Sequence, residues 1–133
     1  MTRVNVVPVS ELSDQWLIAE YRELPRVLKG SFSILGAPKQ YKLNKGHIKW
    51  ARYFGQFTSN RFNQIIQEMR YRGFKINFSS SLDPYLTKEI KNDYTPNLSD
   101  LKVNRERLIA KYNQKPDFYR WTKRTKPSYL GEL

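Results

Sequence analysis

Residues 14–28 constrain the fold more than any other segment, because their apolar residues recur at the spacing of an amphipathic helix. At about 100° per residue, Gln15, Arg22 and Arg26 share one arc, and Trp16 and Glu23 lie together on its flank. The opposite arc predicts a buried stripe, formed by Leu17, Tyr21, Leu24 and Leu28. The pattern therefore predicts one helix with a core face and a charged face.

Polar residues and one proline mark the boundaries of this first helix. Ser10 and Ser13 are both candidate N-caps, since an acidic residue follows each of them. Pro25 lies inside the pattern and predicts a kink or an early end. Residues 4–9, ahead of the helix, predict a short extended lead-in.

The middle of the chain predicts a second helix after an irregular stretch. Residues 29–46 are rich in Gly, Ser, Pro and Lys, which favours a loop. Residues 47–54 predict a helical or irregular aromatic segment. Thr58 or Ser59 is the expected N-cap of the second helix, which should end at Gly73 after a basic last turn.

The final third of the chain predicts a third helix. The connection from residue 74 to residue 96 lacks an alternation long enough for a sheet. Ser99 or Asp100 begins the helix, which should stop before Pro116. We therefore expect an all-α, compact single domain over residues 1–133, with three principal helices and long irregular connections.

The charge of the chain favours an anionic partner. Its 24 Lys and Arg outnumber 12 Asp and Glu, giving a net charge of +12, which is typical of a nucleic-acid-binding domain. An anionic membrane surface is the main alternative. Because no long apolar segment, signal peptide or strongly amphipathic basic helix is visible, we expect no membrane partner and an intracellular, non-secreted protein.

The sequence disfavours a metal site. It has no cysteine and a single histidine, His47, so thiolate and His-rich ligand sets are excluded. A lone histidine is more often a hydrogen-bonded structural residue than a catalyst. We therefore expect no metal.

Thr2 is the first candidate for covalent chemistry. Removal of Met1 would expose an α-amine with a pKa near ~8, so that a useful fraction is nucleophilic at neutral pH, and the charge of Arg3 would lower that pKa further. Beside a carboxylate such as Glu23 and phosphate-binding arginines, such an amine could attack a sugar in DNA. Equally, many inert N-termini begin with Thr, and Glu23 could pair with an arginine on a solvated face.

Further cations and aromatics predict contacts with DNA. Arg22 and Arg26 could bind phosphates, because the planar guanidinium of arginine forms two hydrogen bonds with a phosphate. A basic face that only keeps the protein soluble would explain the same two residues. Arg107 and Lys111 are four residues apart and face the same side of the third helix. The tail could stack on bases or clamp the backbone, or simply anchor the C-terminus; its residues are Phe118, Tyr119, Arg120, Trp121, Lys123 and Arg124.

One run of sequence is highly specific: Ala19-Glu20-Tyr21-Arg22-Glu23-Leu24-Pro25-Arg26. It is accompanied, in order, by Thr2-Arg3-Val4-Asn5, Val9-Ser10-Glu11-Leu12, Asp14-Gln15, Gly46-His47-Ile48, Arg72-Gly73-Phe74, Arg107-Leu108 with Lys111, and Pro116 through Phe118-Tyr119-Arg120. Together these runs resemble the pyrimidine-dimer DNA glycosylase family of the phage endonuclease V type. The resemblance spans the whole chain.

The resemblance implies a helical, metal-free and cofactor-free enzyme that acts on ultraviolet-damaged double-stranded DNA. Thr2 would attack C1′ of the 5′ nucleotide of a cyclobutane dimer, and a Schiff base would replace the glycosidic bond. β-Elimination would then break the strand 3′ to the abasic sugar, with Glu23 stabilising the cationic sugar and assisting proton transfer. Family members also kink the DNA and flip a base opposite the lesion.

The resemblance also implies DNA contacts. Arg22 and Arg26 would hold phosphates that flank the lesion, and Arg3 and Gln15 would lie close to the lesion strand. The remaining candidates for DNA contact are Trp16, His47, Arg107, Lys111, Tyr119, Arg120 and Trp121.

The chain departs from the family in two places. The family commonly has histidine where this chain has Trp16, and an indole there could change the lesion that fits or supply a stacking wedge. The stretch between Arg26 and Gly46 is shorter than in the phage enzyme. Two alternatives to dimer excision therefore stay open: the same chemistry on another damaged or modified base, and a non-catalytic DNA-binding relative. We expect a monomer in the cytoplasm or nucleoid, or in a virus-infected host cell.

Overall fold

The computed structural model describes residues 3–131 and confirms the all-α fold class. The described residues form four helices: α1 (Asp14–Lys29), α2 (His47–Tyr53), α3 (Gly55–Arg72) and α4 (Leu98–Gln114). Short 3-10 turns lie at Val9–Glu11, Asp83–Tyr85, Lys88–Ile90 and Pro116–Phe118. The expected three principal helices are α1, α3 and α4, and the aromatic segment at 47–53 adds the short α2.

The first helix, α1, forms as the sequence predicts. Ser13 is its N-cap, with Oγ accepting a hydrogen bond from the backbone N–H of Trp16 at 3.1 Å. The other candidate cap, Ser10, lies in the preceding 3-10 turn. Pro25 does not end the helix, which continues to Lys29. The buried stripe is confirmed by the burial of Leu17, Tyr21, Leu24 and Leu28.

The predicted start of the second long helix is wrong. Thr58 and Ser59 are buried, and the Thr58 hydroxyl donates to the carbonyl oxygen of Ala51 at 2.7 Å instead of capping a helix. Helix α3 begins earlier, at Gly55, where the chain passes directly against Ile90. A Cβ on Gly55 would collide with the Ile90 carbonyl oxygen, so this approach requires glycine.

The end of α3 is confirmed and the start of α4 is corrected. Gly73 ends α3 with a φ of 86°, the left-handed conformation that favours glycine. Helix α4 is capped by Asn97, not by Ser99 or Asp100. The Asn97 side chain accepts from the Asp100 N–H at 2.8 Å, and the Asp100 carboxylate accepts from the Asn97 N–H at 3.1 Å, which is a capping box.

The core lies between α1 and α3, which pack along each other. The long connections close this core from outside. They bury Tyr41, Leu82, Ile90 and, near the C-terminus, Leu130. The irregular segments therefore hold hydrophobic core residues, and they also fix the chain that precedes α1.

Candidate active site

Buried side chains hold the segment from Arg3 to Val7 along its length. The backbone N–H groups of Val6 and Val7 donate to Asn104 Oδ1 at 2.7 and 3.1 Å. The carbonyl oxygen of Val7 accepts from Arg61 Nη1 at 2.8 Å. Thr2, the predicted nucleophile, lies outside the described residues.

Val4 is tied to the loop that leads into α2. Its N–H donates to His47 Nε2 at 2.8 Å, and its carbonyl oxygen accepts from Tyr41 Oη at 2.8 Å. Arg3 Nε donates to the carbonyl oxygen of Leu43, also at 2.8 Å. Arg3 and Val4 are therefore both held by residues 41–47.

A buried polar network joins this segment to α1. Glu20 is fully buried and forms an ion pair with Arg61, which is 3% exposed. Asn5 Nδ2 donates to Glu20 Oε1 at 2.8 Å, and Asn5 Oδ1 accepts from Asn104 Nδ2 at 2.8 Å. Because a buried charge is costly unless it is paired and hydrogen-bonded, this network specifies one arrangement of α1, α3, α4 and the N-terminal segment.

The contacts also define the direction of the segment. At one end, Arg72 binds Asp14 at the start of α1 at 2.9 Å and the carbonyl oxygen of Val9 at 3.4 Å. Asn5 reaches Glu20, about 9 Å further along α1 at 1.5 Å per residue. Toward its N-terminus, the segment therefore runs along α1 in the direction of the C-terminal end of that helix.

Glu23 lies one turn beyond Glu20 on α1 and is half-buried. Among residues 3–131 it forms no ion pair, so the alternative of a pair with Arg22 or Arg26 is not observed in this part of the chain. Both arginines are exposed. One side of α1 therefore presents a carboxylate and two guanidinium groups that do not neutralise one another by direct contact.

Gln15 connects α1 to the tail. Its Nε2 donates to the carbonyl oxygen of Phe118 at 3.0 Å, and its Oε1 accepts from the backbone N–H of Arg120 at 3.1 Å. The N–H of Asp14 donates to the Arg120 carbonyl oxygen at 2.7 Å. The structure thus brings Gln15 and Arg120, two predicted DNA contacts, to the same end of α1.

Trp16 lies beneath the tail and is 7% exposed. Its ring contacts Tyr119 and Trp121, with centroid separations of 4.6 and 6.0 Å. Trp121 is itself anchored, since its Nε1 donates to the Glu11 carbonyl oxygen at 3.0 Å. The alternative of a stacking wedge does not fit this arrangement, because tail aromatics cover Trp16, and Phe118 is the exposed aromatic of this segment at 56%.

Three predicted DNA contacts form a cationic cluster of Arg3, Arg107 and Lys111. Burial and then the neighbouring charge of Arg3 lower the pKa of Arg107. Burial, Arg107 and Arg3 lower the pKa of Lys111. None of the three forms an ion pair with a described carboxylate. Because their mutual repulsion would be relieved by an anion, the cluster is suited to a phosphate.

His47 is a buried residue, only 3% exposed, and it is hydrogen-bonded within the protein, as favoured for a lone histidine. Its contact with DNA stays a prediction. Its Nε2 accepts from Val4, so Nδ1 carries the proton and donates to the Lys42 carbonyl oxygen at 2.6 Å. Burial lowers the pKa of His47 to about 4. Both ring nitrogens therefore serve contacts within the protein at neutral pH.

A surface cleft of about 610 Å³ adjoins the N-terminal segment. Phe32 on its wall is 47% exposed. Its lining includes Arg3, Phe32, Lys45, His47, Ile48 and Lys49. Three of these side chains carry positive charge, so the cleft extends the cationic surface beside Arg3.

Residues 3–131 contain neither a metal-ligating cluster nor a membrane-spanning helix. No group of three or more His, Cys, Asp or Glu side chains within residues 3–131 is arranged to hold a metal ion. No helix in the same range is long and apolar enough to cross a membrane.

A family model described as pyrimidine dimer DNA glycosylase matches residues 1–82, which is more than half of the chain. The chain belongs to this family. The matched region contains α1, α2, α3 and the N-terminal segment. Pyrimidine dimer DNA glycosylases are DNA repair enzymes, so this family member is a repair glycosylase that binds damaged DNA.

Sequence reasoning missed the buried polar residues behind the site. Asn5, Glu20, Arg61 and Asn104 are each 3% exposed or less. In helical projection Glu20 lies about 40° from the core residue Leu24, which places it at the edge of the buried stripe and is the signal that could have found it. Arg61 and Asn104 gain their buried partners only when α1, α3 and α4 pack together, so the sequence around them carries no signal of this role.

Proposed function

We propose that the chain excises cyclobutane pyrimidine dimers by attack of the Thr2 α-amine on the sugar and then cleaves the strand as an abasic-site lyase. The amine nitrogen bonds to C1′ of the 5′ nucleotide, the glycosidic bond breaks, and the departing base takes up a proton. The C1′–O4′ bond then opens, O4′ gains a proton to become a hydroxyl, and the nitrogen and C1′ form the Schiff base. The resulting Schiff base activates the C2′ proton, whose removal is followed by loss of the 3′ phosphate oxygen. Glu23 stabilises the cationic sugar and assists the proton transfers.

The observation that carries the proposal is the course of the N-terminal segment. Residues 3–7 are fixed by buried hydrogen bonds, and they run along α1 toward Glu23. Asn5 contacts Glu20, and Thr2 is three residues ahead of Asn5, within about 10 Å of extended chain. This reach is sufficient for an N-terminal amine to act together with Glu23.

The charges around this segment suit the proposed substrate. Arg22 and Arg26 are exposed on α1, and we propose that they bind phosphates beside the lesion. The cluster of Arg3, Arg107 and Lys111 would bind the backbone near the N-terminus. We propose a monomer that works on duplex DNA inside the cell, with no metal or cofactor.

The experiment that tests the proposal is borohydride trapping of the purified protein on two duplexes. One duplex carries a single cyclobutane dimer and the other an abasic site. Mass spectrometry first verifies that Met1 is removed, and an N-terminally acetylated sample serves as the control. Adducts on both duplexes that disappear on acetylation support the Thr2 amine as nucleophile and the dimer as substrate.

The other outcomes separate the alternatives. An adduct on the abasic duplex alone supports a lyase that excises another damaged base. Absence of adducts on both duplexes, with DNA binding retained, contradicts the catalytic proposal and supports a non-catalytic DNA-binding relative.

Glu23→Gln tests the carboxylate separately. The substitution keeps the shape of the side chain and removes its charge, so we expect binding to a dimer-containing duplex within about twofold of the parent. Strand cleavage should fall by a factor of about 100 or more. Gln67→Glu, at an exposed position on α3, is a charge-change control that should cleave normally. Full cleavage by Glu23→Gln contradicts the assigned role.

A further inference from the structure

The N-terminal segment has its outermost backbone hydrogen bonds at Val4. His47 Nε2 accepts from the Val4 N–H, and Tyr41 Oη donates to the Val4 carbonyl oxygen, each at 2.8 Å. The contacts of Asn104 and Arg61 lie further along the chain, at Val6 and Val7. Val4 is therefore the backbone attachment nearest to Thr2 among residues 3–131.

The His47 ring is held in one orientation and one tautomer. Its Nδ1–H donates to the Lys42 carbonyl oxygen at 2.6 Å, which leaves Nε2 as the acceptor. Trp50 stacks on it at a centroid distance of 6.0 Å and an interplanar angle of 16°, and Tyr41 packs edge-on at 5.9 Å. A ring fixed on these sides offers its acceptor in one direction only.

The pKa of His47 is lowered to about 4, chiefly by burial and in smaller part by Arg3 and Arg107, against the opposing effect of the Lys42 carbonyl. The ring is therefore neutral across the range in which an α-amine becomes nucleophilic. A protonated ring could not accept from Val4. The hydrogen bond therefore persists wherever the proposed reaction proceeds.

We propose that His47 is a positioning residue for the Thr2 amine, and that it acts by holding the Val4 N–H two residues away. This inference rests on the proposed function. Without the Nε2 acceptor, the Val4 N–H loses its partner, so the chain from this N–H outward loses its last backbone hydrogen bond. The Tyr41 bond to the Val4 carbonyl oxygen and the contacts at Val6 and Val7 still hold the rest of the segment. A displacement of about 1 Å in a reacting group can cost about 100-fold in rate.

The test compares three variants in single-turnover trapping on a duplex with one abasic site, at saturating protein. His47→Leu removes both ring hydrogen bonds, and His47→Gln returns an acceptor at the ε position. Thr58→Val is the matched control, because it removes a buried hydrogen bond to Ala51 at the far end of α2. Affinity is measured separately on a duplex with a tetrahydrofuran abasic analogue, and Tm by circular dichroism.

We expect the trapping rate of His47→Leu to fall about 10-fold or more, with the Kd for the analogue within about twofold of the parent. His47→Gln should recover at least a third of the parent rate. Thr58→Val should react at the parent rate, even if its Tm falls as much as that of His47→Leu. This split between rate and binding is what a positioning role requires.

Four results would overturn the inference: an unchanged rate in His47→Leu, a loss that appears equally in Kd, an equal loss in Thr58→Val, or no recovery in His47→Gln. Each of them leaves the proposed function intact as long as the parent protein is trapped. Failure of the parent itself to form an adduct contradicts the proposed function instead. The two failures are therefore distinguishable in one experiment.

Discussion

At the scale of single residues, α1 separates charges that a surface helix would ordinarily pair. Arg22 and Arg26 are exposed, and the half-buried Glu23 forms no ion pair with either. Because exposed pairs contribute only about 0.2–1 kcal/mol, their absence costs the fold little. It leaves the guanidinium groups available for phosphates, whose neutralisation makes binding dependent on salt.

Arg26→Ala is expected to weaken binding to duplex DNA and to flatten the plot of log K against log salt concentration by about 1 unit of slope. The reason is the loss of one phosphate contact and of the counterion that it releases. Fluorescence anisotropy at five salt concentrations measures both quantities.

The matched control for Arg26→Ala is Lys102→Ala on α4. Lys102 is exposed and lies about 140° around the helix from Arg107. Lys102→Ala removes the same positive charge from the protein as Arg26→Ala. If both variants change the slope equally, the effect belongs to the net charge of +12 and not to a contact at Arg26.

At the scale of elements, α2 is a short helix whose role is to support the N-terminal segment. Its first residue, His47, binds Val4, and its Trp50 is fully buried against Tyr41 and Tyr94. The Tyr94 hydroxyl donates to Asp100 Oδ2 at 2.6 Å, and burial, with this hydrogen bond, raises the pKa of Tyr94 to about 12. Helix α2 thus links the N-terminal segment to the capping box of α4.

His47 makes the stability of the protein depend on pH. Its pKa is about 4 in the folded state, against 6.5 for the unperturbed side chain, so the unfolded chain binds the additional proton between these values. Stability is therefore complete above about pH 6.5 and falls as the pH drops toward 4. At about 1.4 kcal/mol per pKa unit, the loss is about 3 kcal/mol.

Urea denaturation at several pH values from 4 to 7 measures this loss. In His47→Gln the decrease between pH 6.5 and 4 should be smaller by about the same amount, because the variant has no imidazole to titrate. Below pH 4.5, loss of the lowered-pKa Glu68 carboxylate, which binds Arg124 and Arg72, should destabilise both proteins alike. If the free energy of unfolding of the parent and of His47→Gln changed in parallel with pH above pH 4.5, His47 would not be the source of the pH dependence.

At the scale of the whole molecule, Asn104 joins parts of the chain that are about 100 residues apart. Its Oδ1 accepts from Val6 and Val7, and its Nδ2 donates to Asn5. Glu20 and Arg61 complete the same network from α1 and α3. The network therefore connects three helices to the segment that leads to Thr2.

Asn104→Ala is expected to lower the free energy of unfolding by about 2–4 kcal/mol, because it leaves two buried N–H groups and the Asn5 amide oxygen without a partner. Asn113→Ala, at an exposed position on the same helix, should change it by less than about 0.5 kcal/mol. Urea denaturation of both variants measures the difference. Equal stabilities would show that the Asn104 hydrogen bonds contribute nothing to the fold.

Patterns in the sequence were sufficient to predict the elements that are stabilised by residues close together in the chain. The core stripe of α1, its cap at Ser13 and the end of α3 at Gly73 are all confirmed. These features depend on residues within a few positions of one another, where helical periodicity and capping chemistry act directly. The caps predicted at Thr58 and Ser99 failed, because tertiary contacts and a competing capping box decided those boundaries.

The sequence by itself determined the helical class, the charged face of α1 and, through a resemblance that the family match supports, the repair family. It did not determine that His47 and Trp16 would be buried, or that Asn5, Glu20, Arg61 and Asn104 would form one network. The sequence around a polar side chain carries no signal that the side chain is buried. The free-energy cost of removing it from water is offset by hydrogen-bonding partners, and here these come from distant parts of the chain. Only the tertiary structure could decide which residues hold the N-terminal segment beside α1.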